Sequence, residues 1–110
     1  MRIYKLMARA DWEAFRAVGT FEGSADDRRD GFIHFSTAEQ TPETARRHFA
    51  DVADLVALEV ETDRLGAALK WEPSRGGALF PHLYGVLDVR DVVDVADLPK
   101  PSLNTGAGGP

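Results

Sequence analysis

At 110 residues, 44% hydrophobic and 28% charged, the chain has the size and composition of one globular domain with its own core. A net charge of −5 argues against a nucleic-acid backbone as partner, and the short apolar runs cannot supply the roughly 20 residues that a membrane helix needs. The absence of cysteine excludes disulfides, thiolate chemistry and cysteine-ligated metals; with no long apolar run near Met1, a cytoplasmic location is the expectation.

Ile3 to Met7 reads as a first strand. Asp11 can cap a helix over Trp12 to Val18, with Trp12, Phe15 and Val18 toward one face, and Gly19 stands where that helix stops. Thr20 to Asp30 is polar and reads as a loop leading into a strand over Phe32 to Ser36. Thr41-Pro42 starts a second helix that runs to about Phe49, because Thr caps well and Pro is tolerated at the first helical position. Thr37-x-x-Gln40 offers an alternative start as a capping box. Asp54 to Glu61, Leu69 to Trp71, Phe80 to Leu87 and Val92 to Leu98 read as further strands. Arg28-Arg29 and Arg46-Arg47 are basic points in acidic surroundings and read as solvated faces. The domain spans 1–98, and the Pro-, Gly- and Ser-rich residues 99–110 form a tail expected to be mobile. Strands outnumber helices, and both helices fall in the N-terminal half. The fold class is therefore α+β with mostly antiparallel strands.

Two segments carry chemistry. In Gly31-Phe32-Ile33-His34-Phe35-Ser36-Thr37, side-chain alternation puts Phe32, His34 and Ser36 on one face. In Phe80-Pro81-His82-Leu83-Tyr84-Gly85 it puts Phe80, His82 and Tyr84 together. A polar group on an apolar strand must be paired or line a cavity, so both strands are expected to feed one cavity. Imidazole titrates near neutrality, so His34 and His82 are candidate acids or bases; the alternative is that each hydrogen-bonds to backbone and holds strand register. Tyr84 is a donor on the same face as His82, whereas His48, late in a helix, is given no site role. Glu72 can stabilise positive charge or accept a proton, or it can simply pair with Lys70 or Arg75. Arg75 before Gly76-Gly77 is the best anion grip, since glycines admit close backbone approach and guanidinium binds phosphate or carboxylate bidentately. No Walker-type or dinucleotide fingerprint is present, His34, His82 and Glu72 lack compact metal-ligand spacing, and Ser36 has no Gly-x-Ser-x-Gly setting, so no metal site is expected.

The pieces Ile3-Tyr4-Lys5, Gly31 to Gln40, Lys70-Trp71-Glu72 and Phe80 to Gly85, in this spacing, resemble the bacterial and plant family called domain of unknown function 952, from residue 3 to about 98. That resemblance implies a compact relative of the ADP-ribosyltransferase superfamily, with a cleft between two small antiparallel sheets. It implies NAD or a related nucleotide as ligand. Carried over, the early-strand grip falls at Lys5, where relatives often carry His, the hydroxyl at Ser36 or Thr37, and the late acidic residue at Glu72. The expected protein is a small cytoplasmic domain whose polar-aromatic cleft binds an anionic small molecule. His34, Glu72 and His82 are its catalytic candidates for ribosyl transfer or hydrolysis, and Lys5, Ser36, Thr37, Trp71, Arg75 and Tyr84 its ligand-binding ones. A non-enzymatic ligand-sensing or protein-interaction module on the same scaffold is the alternative.

Overall fold

The computed structural model describes residues 1–74 and 76–98. Arg75 and the tail from Pro99 onward, and with them the expectations placed on them, lie outside the described residues. Strand β1 (Arg2–Ala8) runs straight into helix α1 (Arg9–Val18). The helix begins two residues before Asp11, with Ala8 as a cap that makes no side-chain bond; Asp11 sits instead in the first turn, where its charge suits the helix dipole. Trp12 and Phe15 meet edge to face on the core side, with ring centroids 5.5 Å apart. Val18 does not join them and is 75% exposed. Steps of three residues drift by roughly 60° each on a helix of 3.6 residues per turn, so the third member leaves the face. Gly19 ends the helix as expected, at φ 98°, its N–H donating to the Phe15 carbonyl.

The stretch expected to be a loop holds two elements, β2 (Thr20–Phe21) and a short helix α2 (Ala25–Asp30). α2 is closed by a reciprocal capping box: the Asp27 N–H donates to Ser24 Oγ at 3.2 Å, and the Ser24 N–H donates to Asp27 Oδ2 at 2.9 Å. β3 covers only Ile33–His34. Past it the chain changes partners, because Ser36 exchanges both backbone hydrogen bonds with Tyr4 of β1 at 2.8 and 2.9 Å. The expected strand is thus cut short, and its continuation stitches one sheet to another. Helix α3 (Thr41–His48) takes Thr41 as its first residue rather than its cap: Gln40 holds the cap position without a side-chain cap bond, Pro42 lies in the first turn, and Thr37 and Gln40 bond reciprocally just ahead of it.

β4 (Leu55–Glu61) precedes two 3-10 turns, after which β5 (Leu69–Ser74) continues three residues beyond Trp71. The strand expected over Phe80 to Leu87 divides into β6 (Ala78–Leu83) and β7 (Leu87–Asp88), and β8 (Val92–Leu98) ends the described chain with the expected bounds. All ladders are antiparallel, in sheets ordered β1-β4-β8, β2-β7 and β3-β6-β5. The fold is α+β. Among the described residues it has three small sheets rather than two and three α-helices rather than two, all three helices in the N-terminal half. No helix among the described residues is long and apolar enough to cross a membrane.

Strand β4 is central, and its apolar run divides by face. Val56, Leu58 and Val60 join Ile3, Phe15 and Ile33 in the main core, while Leu55 and Ala57 pack with Leu6 and Ala45 beneath α3. Burial on both faces explains why β4 reads as a nearly continuous apolar run. Each of the Val, Leu, Ile and Phe side chains contributes about 1.5–3 kcal/mol on full burial, so this two-sided packing fixes β1, and with it Lys5 and the Ser36 bridge.

Candidate functional site

Sheet β3-β6-β5 presents one face to a cleft of about 280 Å³ closed by β1, α2 and α3. Register places His34 directly opposite His82 in the β3–β6 ladder, and both line this cleft. Their rings meet edge to face at 5.5 Å. Phe32 stacks on His82 with centroids 4.0 Å apart and planes 23° from parallel. Lys5, Ser36 and Phe80 line the same space. Ser36 Oγ lies 2.9 Å from Thr44 Oγ1, which ties the bridging segment to α3.

The two imidazoles have different neighbours. The His34 ring faces two carboxylates of α2, with Nδ1 2.6 Å from Asp27 Oδ1 and Nε2 2.9 Å from Asp30 Oδ2. A neutral ring can donate to only one acceptor, so both contacts are hydrogen bonds when both nitrogens carry protons. Asp27 is 2% exposed and also takes the His34 backbone N–H at 3.1 Å, the Ser24 N–H, and the Lys5 ammonium at 2.9 Å. Burial alone would push the Asp27 carboxyl up. The His34 hydrogen bond, the Lys5 charge and the Ser24 N–H outweigh it and hold the group well below the usual carboxylate range. Burial pulls the Lys5 ammonium down, and Asp27 pulls it partly back. Space for Asp27 comes from Gly23, at φ 117°, where an added Cβ would stand 2.7 Å from the Asp27 Cβ.

His82 is held from the other side. Its Nδ1 lies 2.8 Å from Glu72 Oε1, and the Tyr84 hydroxyl donates to the same oxygen at 2.8 Å. These contacts, His82 first, hold the Glu72 carboxyl below its ordinary value and raise the Tyr84 hydroxyl. Glu72 lies across the β5–β6 ladder from Phe80, and neither Glu72 nor Tyr84 lines the cleft. Among the described residues, His82 Nε2 has no hydrogen-bond partner.

The sequence-predicted residues therefore separate into three groups. Lys5, His34, Ser36 and His82 line the cleft; Glu72 and Tyr84 stand behind His82; Thr37 and Trp71 lie outside the lining. Thr37 is engaged with Gln40, and Trp71 sits opposite Pro81 on the face of β5 turned away from the cleft, 38% exposed at the sheet edge. Lys5 reaches the cleft with its charge committed to Asp27, and His34 bonds carboxylates rather than backbone through its ring. His48, given no role, lines the cleft with Arg47 of the same helix turn. Asp27 and Asp30 were not singled out, and Arg29 and Arg47, read as solvated faces, line the cleft instead. The signal for Asp27 was the Ser24-x-x-Asp27 spacing, a capping-box pattern inside a run with no apolar periodicity. Among the described residues no group of three or more His, Asp or Glu could hold a metal ion.

Solved structures share this architecture. The crystal structure of protein CC0527 from Caulobacter crescentus is 50% identical, over 98% of this chain and 99% of that one, with a TM-score of 0.87. The solution NMR structure of CC0527 is 52% identical, over 96% of this chain and 95% of that one, with a TM-score of 0.81. No curated protein matches. A family model described as "Protein of unknown function (DUF952)" matches residues 6–95, which takes in the end of β1, all three helices and both histidine strands, and the chain belongs to that family.

Proposed function

We infer that this cleft binds a small anionic molecule and that His82 moves a proton within it. One observation carries the reading. His82 lines the cleft with its side chain only 5% exposed, its Nδ1 is taken by Glu72, and its Nε2 has no partner among the described residues. Buried polar atoms are normally satisfied, so a fixed ring with one open nitrogen points to a ligand atom as the missing partner. With Nδ1 as donor, Nε2 is the acceptor, which is the form of a general base. Glu72 acts through His82 and is a positioning residue in this reading, with Tyr84 fixing its carboxylate. Arg29 and Arg47 line the same cleft beside Asp26, Asp27 and Asp30, so an anion bound there takes over guanidinium groups now paired with Asp30 and Glu43.

The finer form of the reading is kinship with the ADP-ribosyltransferase superfamily and reaction at a ribosyl centre. His82 takes the proton of a water or acceptor hydroxyl. The freed oxygen bonds to the ribosyl carbon, and the bond to the leaving group breaks with its electron pair going to that group. At about 280 Å³ the cleft falls below the roughly 300–1,000 Å³ of sites for drug-sized ligands. It suits a nucleotide fragment of ribose-phosphate size, with the rest of any larger NAD-derived molecule outside. A cytoplasmic setting fits a cysteine-free chain.

Calorimetric titration of ribose 5-phosphate, ADP-ribose and NAD, with a hydrolysis assay on the same compounds, tests the reading. His82→Ala is expected to retain binding within a few-fold and to lose turnover by about 10²–10⁴-fold, the usual share of a positioned base. No binding of any of them to the folded protein would remove the reading. It would leave a non-catalytic sensing or interaction module, which the exposed Trp71 (38%) and Leu79 (52%) on β5–β6 favour.

A further inference from the structure

The His34 contacts are unequal, and the inequality assigns a subsite within the cleft; this step rests on the anion-binding reading above. Asp27 receives four donor groups and is 2% exposed. Asp30 is held by two, His34 Nε2 at 2.9 Å and Arg29 Nε at 3.1 Å, and its side chain is 34% exposed. It is also the last residue of α2, where a negative charge opposes the helix dipole. Of the two carboxylates that clamp the ring, Asp30 is the one that can leave. His34, Arg29 and Asp30 all line the cleft.

We propose that Asp30 is an internal stand-in for the ligand's anionic group: a phosphate or carboxylate entering the cleft displaces it and takes its place on His34 Nε2 and the Arg29 guanidinium. The donors suit that chemistry. An imidazole N–H and a guanidinium already aimed at one carboxylate present charged hydrogen bonds to any oxyanion of similar size. Asp27 stays behind and keeps the ring oriented through Nδ1. Displacement moves Asp30 toward solvent and leaves Arg29 its second carboxylate, Asp26, at 3.2 Å.

An occupied subsite lowers apparent affinity by the fraction of molecules in which it is open. Removing the stand-in should therefore tighten binding, the opposite of deleting an ordinary contact. Inorganic phosphate and ribose 5-phosphate are titrated calorimetrically into wild type, Asp30→Ala and Asp30→Asn, with circular dichroism confirming that each is folded. The expected result is affinity about three- to tenfold higher in Asp30→Ala than in wild type for both probes, with Asp30→Asn between them. Binding that is unchanged or weaker in both variants while wild type binds overturns the displacement and leaves the anion-binding reading standing. Silence from all three proteins removes that reading and this proposal together.

Discussion

His34 and His82 occupy facing positions of one antiparallel ladder, yet they sit in different physical settings. His34 sits half-exposed at the rim of an ion cluster with a buried centre: helix α2 brings Asp27 and Asp30 to its two nitrogens, and β1 brings buried Lys5 to buried Asp27. His82 lies in a hairpin, with a single carboxylate from the adjacent strand on one nitrogen and an aromatic ring stacked on its face. The first arrangement spends both ring nitrogens on the protein. The second leaves one for something else. Strand position alone does not decide what a histidine does; the carboxylates delivered by neighbouring elements do.

If the His34 side is a structural ion cluster, its removal should cost stability heavily. Asp27→Ala leaves a buried ammonium and an imidazole uncompensated and is expected to destabilise the fold by about 3–5 kcal/mol in urea denaturation. Pairing Asp27→Asn with Lys5→Met, which removes both charges, should recover much of that loss. Equal losses in the single and double variants would show that the cluster is not an ion-pair unit.

The same cluster sets an acid limit. The Asp27 carboxyl titrates well below its ordinary value in the native state, and near 3.9 in the unfolded chain. Between those two values the unfolded chain binds the extra proton and the native state does not, so the Asp27 contribution is complete above about pH 5 and is lost as pH falls below about 4. Urea midpoints measured from pH 6 down to pH 2.5 should drop more steeply in wild type than in Asp27→Asn. Parallel slopes would place the acid sensitivity elsewhere.

A milder test concerns the stitch between the sheets. Ser36→Ala breaks the hydroxyl pair with Thr44 and should cost about 0.5–1.5 kcal/mol, with both histidines still opposed. On the His82 side the smallest stability change is expected. Glu72→Gln should leave the melting temperature close to wild type, because the group is at the hairpin surface, while turnover of a bound ribosyl substrate falls with KM little changed. A large loss of stability in Glu72→Gln would erase the contrast between the two regions.

Much of the fold was legible from residue pattern. The alternation in Phe32 to Ser36 and Phe80 to Tyr84 put both histidines toward one space, and the bounds of the last strand were readable from Val92 to Leu98. The missing part was α2. Its six residues, Ala-Asp-Asp-Arg-Arg-Asp, carry no apolar stripe, so periodicity has nothing to register and only the Ser24–Asp27 capping spacing marks it. With α2 unseen, Asp27 and Asp30 were unseen too, and Lys5 looked like a free cation. Its true partner is 22 residues away and depends on how α2 packs on β1. The partner switch at Ser36 was equally hidden, because strand-forming residues do not say which neighbour they will pair with.

The division of labour between the two rings is tested most directly by a long-range 1H–15N correlation spectrum of the histidines, before and after saturation with ribose 5-phosphate. The account predicts His82 protonated at Nδ1 with Nε2 free, and both His34 nitrogens engaged by its two carboxylates. Ligand should then shift His34 Nε2 and His82 Nε2 while leaving His34 Nδ1 on Asp27 nearly still. A His82 ring protonated at Nε2 instead, with neither ring responding to ligand, would contradict it.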